Sequence, residues 1–146
     1  MKRFHFKLEP LREVREYALE AAKAQLAQAA GACAILDLQL KENASLSLEA
    51  SRNRFRAGGN ASDFRSSERY VLRLTQDRDR LLKALALAEA KREEARLEYV
   101  RASQAHELIQ KLKERAQREY YHHALQEETK VLDDIAAGTA ARLANT

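Results

Sequence analysis

The stretch Leu19–Leu40, LEAAKAQLAQAAGACAILDLQL, decides the fold. Leu19, Ala22, Leu26, Ala29, Cys33, Leu36 and Leu40 recur at alternating steps of three and four, which puts them on one face of an α-helix. Sustained over about three heptads, this spacing is a coiled-coil seam, and a seam needs a partner helix. Most positions between the seam residues carry Ala, Glu, Lys or Gln, which lose little side-chain freedom in a helix. Gly31 lies inside the stretch; a glycine there costs roughly 1 kcal/mol against alanine, a loss that packing along the rest of the helix absorbs.

Working outward, Pro10 is compatible with a first helical turn, where its missing N–H is not needed, so helix one is expected over about residues 8–57. The segment Arg56-Ala-Gly-Gly-Asn-Ala-Ser-Asp63 is the one convincing turn, with reversal at residues 58–60. Gly58 and Gly59 can take the left-handed conformation that ends a helix, and Asn60 or Ser62 can cap the next one. Asp63 adds negative charge beside the positive end of that helix. Helix two is expected over about residues 61–137, with Gly138 as the first stop signal and residues 138–146 as a frayed tail. Its seam reads Val71, Leu74, Arg78, Leu81, Leu85, Ala88, Arg92, Ala95, Tyr99, Ala102, His106 and Ile109. The fold class is therefore all-α: two long helices in an antiparallel coiled-coil hairpin, a single helical unit over residues 1–146 with the second helix longer and overhanging.

At about 1.5 Å per residue, helix one spans roughly 70 Å and helix two roughly 115 Å, which predicts an overhang of roughly 25 to 30 residues from about Lys111 onward. This segment carries Leu112, Ala116, Tyr120, Leu125, Leu132 and Ile135, with Lys111, Lys113, Arg115 and Arg118 on its first turns. An amphipathic helix without an internal partner invites an external one. The bland alternative is that the stripe only covers Phe4, Phe6 and Leu8, or pairs with another copy.

A chain of 146 residues with 33% charged side chains has little material for a thick globular core. One proline and four glycines leave too few turns for a sheet protein. The single cysteine, Cys33, sits within the helical pattern as a small hydrophobe and cannot form a disulfide within the chain, which suits a reducing compartment. The basic start is not followed by an uninterrupted apolar run, so neither a secretory signal nor a membrane span is expected. The net charge of +4 is modest, with both signs interspersed.

Several chemistries have no footing in these residues. The paired glycines are followed by Asn60-Ala61-Ser62, not by the lysine and hydroxyl of a phosphate-binding loop. The histidines His5, His106, His122 and His123 come without a recognised ligand spacing, so no metal or cofactor is expected. Glu127 with Glu128 and Asp133 with Asp134 are pairs in sequence only; a two-helix rod offers no cleft to desolvate them for acid–base catalysis. Enzymatic activity is not expected. Nucleic-acid binding would rest on Lys111, Lys113, Arg115 and Arg118, but Glu107, Glu114 and Glu119 among them oppose phosphate attraction.

The opening Phe4-x-Phe6-x-Leu8 with Leu11-Arg12, the Gly58-Gly59 turn, and the run Leu112-Lys113-Glu114-Arg115 through Glu119-Tyr120 to Lys130-x-x-Asp133-Asp134-x-Ala136 form an ordered set along nearly the whole chain. In that order and spacing the chain resembles the FliJ-type flagellar export proteins, relatives of the YscO-like stalk proteins of virulence type III secretion systems. The resemblance implies a cytoplasmic, stalk-like hairpin at the cytoplasmic face of the inner-membrane export apparatus. It would insert into the ring of the export ATPase FliI, promote its assembly or activity, and link it to the export gate protein FlhA. Export chaperones would be further partners, nucleic acid would not, and any membrane association would run through partners. The resemblance implies ATPase-ring contacts at Phe4, Phe6, Leu8, Arg12, Leu112, Arg115, Tyr120 and Asp133. It implies gate contacts at Tyr70, Leu74 and Leu81; Asp77 departs from the small residue expected between them. Leu74 and Leu81 also belong to the coil seam, which leaves Tyr70 as the better outward-facing candidate. An escort for export substrates and a virulence-system stalk are the alternative readings.

Overall fold

The computed structural model describes residues 3–54 and 58–144. It is all-α, with two long helices packed against each other: α1, Glu9–Asn53, of 45 residues, and α2, Ala61–Ala144, of 84. Among the described residues there is no strand. The chain divides into two compact units, a terminal unit of Met1–Leu19 with Ala102–Thr146 and a turn unit of Glu20–Arg101.

In the turn unit, both seams read from the sequence face inward. Ala22, Leu26, Ala29, Cys33, Leu36 and Leu40 are all buried or half-buried, as is Leu19 at the edge of the terminal unit, and Cys33, at 2% exposure, is the most enclosed side chain among the described residues. Opposite them, Val71, Leu74, Leu81, Leu85, Ala88, Ala95 and Tyr99 are likewise covered. Arg78 and Arg92 occupy seam positions by spacing yet are exposed, because a long arginine stem can lie along the flank while its guanidinium stays in water. The α1 seam also continues past Leu40 in the same rhythm through Asn43, Ser47 and Ala50. The antiparallel arrangement is visible where the Asn43 Nδ2 donates to the Leu74 carbonyl at 3.0 Å, and again where Arg54 pairs with Glu68 nearer the turn.

The helix ends have local causes. Leu8 begins α1 by accepting the Arg12 N–H at 3.0 Å, and Pro10 falls in the first turn, where no N–H is required. The expected end of helix one near residue 57 lies outside the described residues; α1 itself ends at Asn53, with Arg54 in a turn. Gly58 adopts φ +102°, the left-handed region that an L side chain rarely enters. The Asn60 carbonyl then opens α2 by accepting the Phe64 N–H at 3.1 Å, while the Asp63 carboxylate accepts the Asn60 N–H at 3.1 Å, one half of a capping box. At the far end α2 does not stop at Gly138 but continues to Ala144. A lone glycine only weakens a helix by about 1 kcal/mol, and Gly138 does not take the positive φ that would terminate it.

Replacing Gly58 by alanine tests the turn. A Cβ there meets nothing within 4 Å among the described residues, and the cost expected is conformational. Gly58→Ala is expected to lower unfolding stability by about 1–2 kcal/mol in urea titrations, with the helical circular-dichroism signal unchanged in the absence of denaturant.

Candidate functional site

The terminal unit gathers most of the side chains that sequence reading singled out for partner binding. Residues 3–6 are not helical, and Phe4 among them meets Tyr120 on the α2 face that also carries Ile109, Lys113 and Ala116. These four continue the three-and-four rhythm of the α2 seam, with α1 still the partner at Lys113 through Glu9 and the non-helical Phe4 taking that place at Tyr120. Phe6 is buried at 9% exposure and Ile109 at 5%. The Phe4 ring lies 5.5 Å from that of Tyr120, tilted by 56°, and Tyr120 makes a T-shaped contact with Tyr121 at 5.7 Å. Both separations fall in the range where aromatic pairs attract beyond the area they bury.

An ion-paired knot fixes the start of α1 to α2. The Lys113 ammonium lies 2.9 Å from one Glu9 oxygen and donates to the other at 3.1 Å, and Arg12 reaches Glu9 at 2.7 Å and Glu16 at 3.0 Å. The hydrogen bonds from Lys113 and then from Arg12 hold the Glu9 carboxyl below its ordinary value, and Glu9 in turn raises the Arg12 guanidinium. Further along α2, Glu107 is lowered by its hydrogen bond from Lys111, an i,i+4 pair on the solvent side.

This arrangement corrects the expected start of the overhang. Lys111 to Tyr120 are not free of internal partners: Lys113, Ala116 and Tyr120 are half-covered by the segment that carries Phe4, Phe6 and Glu9. The uncovered part of α2 begins at Tyr121, and from there to Ala144 every residue except Ala124 is exposed. It carries the exposed apolar side chains Leu125, Val131, Leu132, Ile135 and Leu143. A shallow open groove runs along it from Tyr120 past Ala124 and Glu127 to Val131 and Leu132.

The eight residues expected at the ATPase ring therefore fall into three groups. Phe4, Phe6, Arg12 and Tyr120 are tied into the terminal unit and shape it. Leu8, Leu112 and Arg115 are exposed on its surface, with Arg115 paired to Glu119 at 2.9 Å. Asp133 is exposed on the uncovered stretch, 13 residues and so about 20 Å beyond Tyr120 along the helix. Sequence reading missed Glu9 and the role of Lys113, though the steps from Ile109 to Lys113, Ala116 and Tyr120 carried the signal. In the turn unit, Tyr70 is exposed at 40%, Leu81 is half-buried and Leu74 is buried at 6%. Of the three, Tyr70 presents most surface to a partner.

Among the described residues no three His, Cys, Asp or Glu side chains cluster as a metal site, and no helix is long and apolar enough to cross a membrane. His122 and His123 lie with ring centroids 6.3 Å apart, tilted by 55°.

The Glu9 knot gives a pH prediction. A carboxyl whose folded value is depressed contributes stability that is present above its unfolded value, about 4.3, and lost as pH falls through the folded value. Melting temperatures followed by circular dichroism from pH 7 to pH 3 should therefore fall on the acid side, and less steeply in Glu9→Gln than in the unaltered chain.

No curated protein and no solved structure matches the chain. A family model, described as the flagellar FliJ protein, matches residues 4–144, which takes in the N-terminal segment, both helices and the uncovered stretch of α2. The chain therefore belongs to the FliJ family, non-enzymatic components of the flagellar type III export apparatus.

Proposed function

We propose that this chain is a stalk-like coiled coil that docks into the ring of the export ATPase FliI through its terminal unit and reaches the export gate protein FlhA near the turn. The observation that carries the reading is the terminal unit itself: a braced base of Phe4, Phe6, Glu9, Arg12, Lys113 and Tyr120, followed on the same helix by an uncovered amphipathic stretch. Bracing fixes the geometry of the surface before a partner arrives, which lowers the ordering cost of binding. The outward side chains Leu8, Leu112 and Arg115, with Asp133 further along, would then make the ring contacts.

Such a rod acts by differential binding. If it contacts ring subunits more favourably in one nucleotide state than another, it shifts their equilibrium toward that state and so toward assembly or turnover. Exposed ion pairs of the Arg115–Glu119 kind each contribute little, roughly 0 to 1 kcal/mol, which suits contacts that are made and broken repeatedly. At the gate, Tyr70 would be the anchor, with Leu74 and Leu81 behind it in the seam. This function places the chain at the cytoplasmic face of the inner membrane, held there through its partners, with export chaperones as further ligands.

Hydrolysis by the same organism's export ATPase, measured with and without this chain, tests the ring contact. Stimulation is expected, and Arg115→Glu or Tyr120→Ala should raise the concentration needed for half-stimulation at least about fivefold, the effect of losing on the order of 1 kcal/mol. Arg115 is 74% exposed, so its substitution should leave the melting temperature within about 2 °C. Unaltered hydrolysis and ring assembly at saturating concentrations would overturn the stalk reading and bring forward the escort of export substrates.

A further inference from the structure

From Tyr121 to Ile135, α2 carries an apolar stripe with one carboxylate inside it and others along both edges. At about 100° per residue, Leu125, Leu132 and Ile135 all fall within about 40° of Tyr121, and Glu128 falls among them, about 20° away. All five are exposed, Leu132 at 65%. Glu127 and Asp134 lie along one edge, beyond Val131, and Asp133 lies along the other, while Lys130 is on the opposite face of the helix. The groove between Tyr120 and Leu132 has Glu127 and Glu128 on its wall. Earlier on the same helix Glu107 and Glu119 are ion-paired to Lys111 and Arg115, whereas Glu127, Glu128, Asp133 and Asp134 pair with no cation among the described residues.

This charge pattern selects what can cover the stripe. A second copy, parallel in register or antiparallel with Tyr121 opposite Ile135, sets Glu128 against Glu128 in the seam, where two carboxylates lose water and repel each other. Nucleic acid and anionic lipid headgroups are repelled by the carboxylates on both edges. A helix with apolar residues at the same three-and-four spacing, and a lysine or arginine facing Glu128, buries the stripe and pairs the carboxylate at once. Further basic residues on its flanks meet Glu127, Asp133 and Asp134.

We propose that the stripe from Tyr121 to Ile135 takes a basic amphipathic helix of another protein, and that Glu128, by requiring one cation in the partner's seam, fixes the register and keeps two copies of this chain from pairing there. A single polar residue in an otherwise apolar seam governs register and partner choice in coiled coils generally. The inference deepens the ring reading by naming the chemistry of the segment that meets this surface, and it rests on that reading only for which protein supplies the segment.

The probe is a synthetic three-heptad peptide with a leucine seam, one lysine at the central seam position and lysines on both flanks, set against a counterpart with glutamate at all of those positions. Fluorescence anisotropy with the full chain should give a Kd for the lysine peptide at least about tenfold lower than for the glutamate peptide. General electrostatics oppose that preference, since the whole chain has a net charge of +4. Glu128→Lys should abolish or invert it, and Leu132→Ala should weaken binding of the lysine peptide at least about fivefold. Lys130→Glu, on the opposite face, should change that Kd less than about twofold. All three positions are exposed, so the helical circular-dichroism signal should be unchanged. Equal binding of the two peptides, or a preference that survives Glu128→Lys, would overturn the proposal. So would a sedimentation mass twice that of the chain which Leu132→Ala returns to one. Peptide preference without stimulation of the export ATPase overturns the ring reading and leaves this one; stimulation without the preference does the reverse.

Discussion

Burial along a narrow three-and-four seam is the constraint on which the structure depends, because two helices without a third layer have no other place to put apolar surface. Most helix positions away from that seam face water, which is why a third of the chain is charged and why i,i+3 and i,i+4 pairs such as Arg96–Glu93 and Lys111–Glu107 line the outer faces. Small side chains at Ala22, Ala29, Cys33 and Ala88 allow close approach, and the leucines between them supply most of the apolar area. Stability is thus distributed along the seam in proportion to what stands on it, and local strength differs from one stretch to the next.

Function follows from where that pairing runs out. In the terminal unit the α2 seam outlasts its helical partner, and a non-helical segment covers it as far as Tyr120. Beyond Tyr120 the same helix carries Leu125, Val131, Leu132 and Ile135, all exposed among the described residues. On the stalk reading proposed above, surface of this kind is what would meet other export components, while the ion-paired knot of Glu9, Arg12 and Lys113 ties the start of α1 to α2.

Much of this was legible in the sequence because the seam is a periodic signal. Each of the seven α1 seam residues read from spacing is covered, as are the α2 ones except Arg78 and Arg92, whose length lets them leave the interface. What spacing concealed was chemical identity. Asn43 and Lys113 hold seam positions but look like surface residues, so the seam was ended at Leu40 on one helix and at Ile109 on the other. The start of the uncovered stretch was misplaced by about ten residues for a metric reason. Non-helical chain advances up to about 3.3 Å per residue against 1.5 Å in a helix, so the five steps from Phe4 to Glu9 run beside the seven from Lys113 to Tyr120. Gly138 misled in the same way, since the composition of a stop signal was present without the backbone geometry of one. The ring and gate residues came only from family resemblance, because exposed side chains on a helix carry no periodic mark of what they bind.

We propose above that the terminal unit, from Leu8, Leu112 and Arg115 to the exposed stretch of α2 beyond Tyr120, is the surface that meets the export ATPase ring. Hydroxyl-radical footprinting of this chain, free and in the presence of the assembled ATPase, tests it most directly. Protection concentrated at Leu8, Leu112, Tyr121, Leu125, Leu132 and Ile135, with Ile35, Leu38 and Leu97 of the turn unit unchanged, is the predicted result. Protection confined to the turn unit, with residues 121–135 as reactive as in the free chain, would contradict the account.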